Sequence, residues 1–332
     1  MLNGSAVLNP SMTRILNMTN MTTTNTTPHY TVYQAYHLGL LVISVLIILS
    51  NSFAITIYCR HKAIRKNLNN ILLCSLAVSD LLTGLIYLPV LVIVERSDFR
   101  GKHQWLLTLQ RYHFMFGNLC GFSTVFHIIA LTIDKYVAVL YPFKKINLST
   151  RWLYRKILAS LWTTALFFAL IPLFWYFKDE GSQSWYKKFH VYGIFQLVIF
   201  FGLSLLTLMY CYLRMFAKIH NQDCEGSLTG RVQRRERTDR KTISVFLCFF
   251  VVFVIGWFPW FLFTLDNNML RAPLEVKDFL VTLRFAGAFL NPAIYAFLKN
   301  DYRQAISSDL AKLCSKPAKM EPIELNLKTT NQ

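Results

Sequence analysis

The residues of this chain that could do chemistry are polar groups set in apolar sequence. Asp80 stands in Leu76-Ala77-Val78-Ser79-Asp80, and Asn291-Pro292-Ala293-Ile294-Tyr295 interrupts the apolar run 279–298. An ionisable side chain deep in a membrane is costly and marks a functional site. Pro292 removes one backbone donor and crowds the turn before it. Lipid cannot satisfy the carbonyl this frees, so a neighbouring helix or buried water must. Asn291 and Tyr295 lie about one turn apart and can share one wet face. Asp134-Lys135-Tyr136 adds paired charges, and Trp257-Phe258-Pro259 a proline-kinked aromatic cluster. None of this is bond-breaking chemistry. No GxSxG, HExxH, CxxC or paired-carboxylate pattern occurs, so an enzyme is not expected. The set suits a helical assembly that changes shape.

The elements that would position these residues are membrane spans. The chain has 332 residues, 54% hydrophobic and only 16% charged. Soluble domains are nearer about 25% charged. Apolar stretches run over residues 33–59, 70–94, 107–140, 153–177, 189–217, 241–266 and 275–298. Each exceeds the roughly 20 residues that cross a bilayer as a helix. The formal charge of +18 could suggest nucleic acid. Its distribution excludes that partner. Most Lys and Arg fall in 60–66, 144–156, 231–241 and 299–319, which are alternate connections and the C-terminal segment. That is the positive-inside pattern. Seven spans then place the C-terminus in the cytoplasm and the N-terminus outside.

The first 32 residues support this orientation. They read as a disordered, glycosylated tail with acceptor patterns at Asn3, Asn17, Asn20 and Asn25. Pro10 blocks Asn9, and Asn147-Leu148-Ser149 falls on the expected cytoplasmic side. No apolar segment with a cleavage site precedes the first span, so no cleaved signal peptide is expected. The seven cysteines all map to spans or cytoplasmic segments, which leaves no external thiol for a disulfide.

Polar and kinked landmarks recur through the spans in order. They are Asn51, Asp80, Thr124 with Asp134-Lys135-Tyr136, Trp162 with Pro172, Tyr212, Trp257-Phe258-Pro259, and Asn291 with Pro292 and Tyr295. This series resembles the rhodopsin-like (class A) G-protein-coupled receptors across residues 33–314. The resemblance implies an all-α seven-transmembrane bundle (33–298), an external ligand pocket, and a plasma-membrane location. It also implies a cytoplasmic cleft that opens for a heterotrimeric G protein when the sixth helix moves outward. Melanocortin, adenosine and cannabinoid receptors relax some of the same rules and are a loose match.

The resemblance assigns roles residue by residue. Asp80, Asn51, Thr124 and Asn291 would hold a sodium ion, or else form a water-bridged lattice. Gly287 and Ala288 stand where the family often offers a polar side chain. Lys135 replaces the family's usual Arg; it could pair with Asp134 and with Asp239 as a resting latch between spans three and six. Phe253, Trp257, Pro259 and Tyr212 complete the switch. Span five lacks the family's proline, with Ser204 near its place. The pocket would be walled by Gly117, Asn118, Gln196, Trp260, Phe261, Thr264, Arg284 and Phe285. Gly117 replaces the Asp of monoamine receptors, and Phe285 the Lys that binds retinal in opsins. Neither ligand is therefore expected. Arg284 would meet an acidic or amphiphilic ligand, or else snorkel or pair with Asp266 or Glu275. The family disulfide is absent, because Gln110 and the loop 177–188 provide no Cys.

After the last span, residues 299–314 form an expected amphipathic helix on the inner leaflet. Tyr302, Ile306, Leu310 and Leu313 recur on its apolar face. Cys314 at its end is a palmitoylation candidate or a free thiol. The segment 315–332 reads as a disordered cytoplasmic tail. A multi-span transporter or channel is the competing class. Such proteins often show repeats between halves, and none is visible here.

Overall fold

A computed structural model describes residues 27–96, 104–176, 183–224, 243–244, 247–248, 250–259 and 274–314. Among these, all regular structure is helical. Five helices are long and apolar enough to cross a membrane: Gln34–Arg60, Asn69–Arg96, Thr108–Leu140, Arg151–Trp175 and His190–Asn221. Span six is described over Phe250–Pro259, and span seven is the helix Leu274–Leu298. These positions follow the apolar stretches of the sequence closely. In lipid only a helix satisfies every backbone group within one segment, which is why each stretch forms one.

The helices are inside out relative to those of a soluble protein. In span one, Leu38, Val45 and Leu49 are 63%, 53% and 62% exposed, whereas Leu40, Ile47 and Asn51 are fully buried. Exposed large apolar side chains of this kind recur along the spans and would aggregate in water, but here the solvent is hydrocarbon. Polar groups turn inward instead. Ser44, Ser79, Asp80, Ser123, His127, Thr132, Ser204 and Asn291 are all buried.

Short polar bonds fix the neighbours. The Ser44 hydroxyl donates to Gly84 O at 2.7 Å, joining spans one and two. His127 on span three meets Ser75 of span two at 2.8 Å, and the Trp162 indole N–H of span four donates to the same hydroxyl at 3.0 Å. The Tyr192 hydroxyl donates to Phe168 O at 2.9 Å, holding span five to span four. Span three packs against spans two, four and five, and span one against two and seven.

Among the described residues, two spans depart from regular winding. Span two has a π-helical turn at Thr83–Tyr87, just beyond Asp80. Span five is π-helical over Gln196–Leu203. A wide turn bends a helix much as a proline does. Span five therefore has a local distortion where its sequence lacks the proline, immediately before Ser204.

The helix Asn300–Cys314 follows span seven directly. Its expected apolar stripe divides. Tyr302 and Ala305 are buried in the largest core cluster, Ile306 packs against it, and Leu310 is 56% exposed. Tyr302 thus docks the helix onto the bundle, while Leu310 faces outward. The side chains of Leu313 and Cys314 lie outside the described residues. Polar contacts tie the helix to the connection between spans one and two. Asn70 donates to Asp301 at 2.8 Å, and His61 meets Asp309 at 3.0 Å. Lys299 bonds Asn70 and lies 3.4 Å from Asp301. The His61 contact holds the Asp309 carboxyl below the usual carboxylate range. Burial lowers the pKa of the Lys299 ammonium, against the pull of Asp301.

Candidate functional site

The mid-membrane lattice is built around Pro292. A proline cannot donate to the carbonyl four residues earlier, which here is Ala288 O. The Asn51 amide from span one donates to that carbonyl at 3.1 Å. One residue before the proline, Asn291 donates to Asp80 Oδ2 at 2.8 Å. The Thr124 hydroxyl reaches Asp80 Oδ1 at 3.4 Å. Spans one, two, three and seven therefore meet at one kink. Asn51, placed with Asp80 by sequence, instead binds the backbone of span seven, and also Ile47 O at 2.9 Å. Its Oδ1 is buried without a hydrogen-bond partner among the described residues.

The four residues expected to hold sodium present their polar atoms as follows. A hard cation takes several oxygen ligands. Asp80 and Thr124 supply oxygens, but Asn291 turns its N–H toward the carboxylate, and Gly287 and Ala288 have no side-chain oxygen. The arrangement is that of a hydrogen-bonded lattice. A cavity of about 40 Å³ opens from Asp80 toward Trp257 and Arg284. It has room for about three water molecules.

At the far end of this cavity, Arg284 does not snorkel. Its guanidinium carbon lies 4.9 Å from the Trp257 ring centroid and 4.7 Å from that of Phe285. Its Nη2 is 3.5 Å from the Tyr87 hydroxyl. Two glycines of span three make room for the rings. A Cβ on Gly117 would sit 2.3 Å from Tyr87, and one on Gly121 would sit 2.8 Å from Trp257. Tyr87 in turn stacks on His113, with centroids 4.2 Å apart and planes at 11°. Tyr87, Gly121 and His113 were not singled out from sequence as pocket residues. Their signal was the unexplained glycine pair, one helical turn apart, opposite large aromatics. Gln196 donates to Asn118 Oδ1 at 3.2 Å, so these two expected wall residues do meet. Trp260, Phe261, Thr264 and Asp266 lie outside the described residues.

Below the cavity, Phe253 is buried and stands 6.2 Å from Trp257 and 5.8 Å from Phe201 of span five. Phe258, just before Pro259, stacks on the same Phe201 at 5.4 Å. Phe201 thus meets both phenylalanines of span six, a contact that the sequence concealed among many phenylalanines. Farther along span five, Tyr212 is buried with its hydroxyl 3.4 Å from Thr132. The side chain of Tyr295 lies outside the described residues.

A charge cluster gathers at the end of span three that carries Asp134. Asp134 accepts from Lys145 and Tyr154, and from Asn69 at 2.7 Å. Its carboxylate thereby joins span two, span three, the loop helix Pro142–Leu148 and span four. Lys145 makes an ion pair with Asp134. Tyr136 packs near Tyr141 and Tyr210, each at 6.2 Å. Asp239 lies outside the described residues, as do Asn3, Asn17, Asn20 and Asn25.

Comparison with known proteins agrees with this architecture. The family model described as 7 transmembrane receptor (rhodopsin family) matches residues 50–295. A QRFP-like peptide receptor of Branchiostoma floridae is 24% identical, over 79% of this chain and 74% of the relative. Somatostatin receptor type 5 of Rattus norvegicus is 27% identical, over 77% of this chain and 72% of the relative. Melanopsin of Phodopus sungorus is 26% identical, over 83% of this chain but only 62% of the relative. The match runs from the Asn51 turn of span one to Tyr295 beyond the proline kink. This chain belongs to the rhodopsin family of seven-transmembrane receptors.

Proposed function

We propose that this receptor sits in the plasma membrane with its N-terminus outside and relays an extracellular ligand to a heterotrimeric G protein. The observation that supports this best is the bond from Asn291 to Asp80 at the Pro292 kink. It ties the helix that lines the outer cavity to the polar lattice below. The aromatic stack Trp257–Phe253–Phe201 then continues toward the cytoplasm. Packed aromatics shift between discrete arrangements, which suits a two-state relay. Outward movement of span six would uncover the cleft, and Lys135 and Asp239 would hold it closed. The competing transporter or channel has no comparable support. Phe285 lies against Arg284 where an opsin has its retinal lysine, so the likeness to melanopsin is carried over as scaffold and not as photochemistry. Cys314 remains the lipidation candidate at the membrane surface.

Two experiments test this proposal. Asp239→Ala will raise ligand-independent second-messenger output several-fold at equal surface expression, because destabilising the closed state does the work of a ligand. Unchanged basal output would remove the latch. Orientation is tested by glycosidase treatment of the expressed protein. The apparent mass will fall, and replacement of Asn3, Asn17, Asn20 and Asn25 together will abolish that change. A shift that persists through Asn147 would invert the topology.

A further inference from the structure

We propose that the turn opening span four binds a membrane lipid whose head group carries more than one phosphate. Arg151, Arg155 and Lys156 hold the phosphates, Trp152 anchors the turn at the level of the head groups, and Lys144 closes the site from the connecting helix. This rests on the membrane-spanning receptor assigned above and adds a lipid site to its surface.

The helix Arg151–Leu170 has two sides. Tyr154, Ala165 and Ala169 are buried, whereas Trp152, Lys156, Ala159, Thr163, Phe167 and Leu170 are exposed. The exposed residues recur at intervals of three and four, so they share one outward face. Arg151 and Arg155, also exposed, flank its start one turn apart. The later part of this face is apolar and meets hydrocarbon, and its beginning is basic. A helix of 20 residues is about 30 Å long, the thickness of the hydrocarbon core. The basic turn therefore lies at the head groups of the leaflet it abuts. Trp152 is 64% exposed, and tryptophan is the residue type that favours that level.

Charge decides the head group. No Asp or Glu occurs between Asp134 and Asp179. Asp134 is engaged on the inward side, by Lys145, Tyr154 and Asn69. Among the described residues, none of Lys144, Arg151, Arg155 and Lys156 meets a carboxylate. The Lys156 ammonium lies 3.4 Å from the Trp152 ring centroid, and the Lys144 ammonium 5.2 Å from that of Tyr141. A guanidinium receives phosphate oxygens in pairs, which suits the exposed Arg151 and Arg155. The connection to the helix Asn300–Cys314 differs, because acids offset its cations. Lys299 pairs there with Asp301, and His61 with Asp309. Arg65 and Arg151 both lie within electrostatic reach of the Tyr58 hydroxyl, so the positive surface continues onto the connection between spans one and two. A head group with one charge leaves this surface largely unbalanced, whereas a multiply phosphorylated one balances it.

The test uses the full chain in phosphatidylcholine nanodiscs. One set contains phosphatidylinositol bisphosphate, and another contains phosphatidylserine at equal total charge. A disc offers the lipid on both leaflets, so the outcome does not depend on orientation in the cell, which glycosidase treatment decides separately. The bisphosphate will raise the thermal unfolding midpoint in a saturable way, and phosphatidylserine will raise it by much less. Soluble inositol trisphosphate will not reproduce the effect, because it lacks the bilayer anchor. Arg151→Gln combined with Arg155→Gln will raise the half-saturating bisphosphate content on the order of ten-fold or more, since each basic residue at an acidic surface contributes roughly five-fold. Arg303→Gln, an exposed change on the helix after span seven, will leave it unaltered. Equal stabilisation by the two lipids means diffuse attraction and overturns the proposal. An unchanged response in the double variant, an equal loss in Arg303→Gln, or equal stabilisation by the soluble head group overturns it too. If the double variant keeps its lipid response and loses G-protein nucleotide exchange, the surface belongs to the G protein and the proposal fails. If the double variant does not fold, the comparison of the two lipids on the native chain decides.

Discussion

Combining Asp80→Asn with Asn291→Ala will cost far less signalling than the sum of the two single changes. The reason is the 2.8 Å bond from the Asn291 amide to the Asp80 carboxylate at the buried kink. Asn291→Ala alone leaves that carboxylate with Thr124 at 3.4 Å as its remaining side-chain partner. Losing a hydrogen bond to a buried charged group costs about 1.5–3 kcal/mol. Asp80→Asn alone removes the charge and leaves two amides to re-pair. Once Asp80 is neutral, removing Asn291 strands no charge. The coupling should therefore be about 0.5–3 kcal/mol, scored by the thermal midpoint and by signalling at matched surface expression. Additive losses would mean that the two residues act separately. Thr124→Ala should give a smaller coupling to Asp80→Asn, since its bond is longer.

The second large effect lies at the cytoplasmic end. Asp134→Asn will destabilise the receptor and raise its basal output. Asp134 and Lys145 are only 14% and 21% exposed, so the pair is partly withdrawn from solvent. Removing one charge leaves Lys145 facing a neutral amide, and Tyr154 and Asn69 lose a charged acceptor. The cost should be about 1.5–3 kcal/mol, the range for hydrogen bonds to charged groups. A buried pair that is removed whole costs far less than one that is broken. The double variant Asp134→Asn with Lys145→Met should therefore recover much of the lost thermal midpoint. If it is no more stable than Asp134→Asn alone, the ion pair is not what secures the loop helix to span three.

The sequence exposed those parts of the fold that depend on composition. Runs of apolar residues longer than a bilayer is thick have one structural solution, so the spans emerged from residue type alone. Pro292 also carried its own consequence. Its missing N–H required a substitute donor for Ala288 O, and Asn51 is that donor. Sequence placed Asn51 in the right lattice but could not say that it binds backbone, because partner choice depends on the azimuth of span one. The same limit applies to Asp134. Lys145 is eleven positions away, on a loop helix whose path no periodicity reveals. Tyr87 and Phe201 were invisible for another reason. In a chain with 27 Phe and 16 Tyr, no single aromatic stands out. Gly117 stands out in sequence only for the Asp it lacks. Its contact with Tyr87 gives it a positive role, as space for a ring beside Arg284.

The most direct test of the account is nucleotide exchange on purified heterotrimeric G proteins by the full chain in nanodiscs. The native receptor should accelerate exchange above empty discs, Asp239→Ala should accelerate it further, and Asn291→Ala should reduce it. Parallel planar-bilayer recordings should show no current. An ion current, with no acceleration of exchange for any G-protein class by the native chain or by Asp239→Ala, would contradict the receptor mechanism.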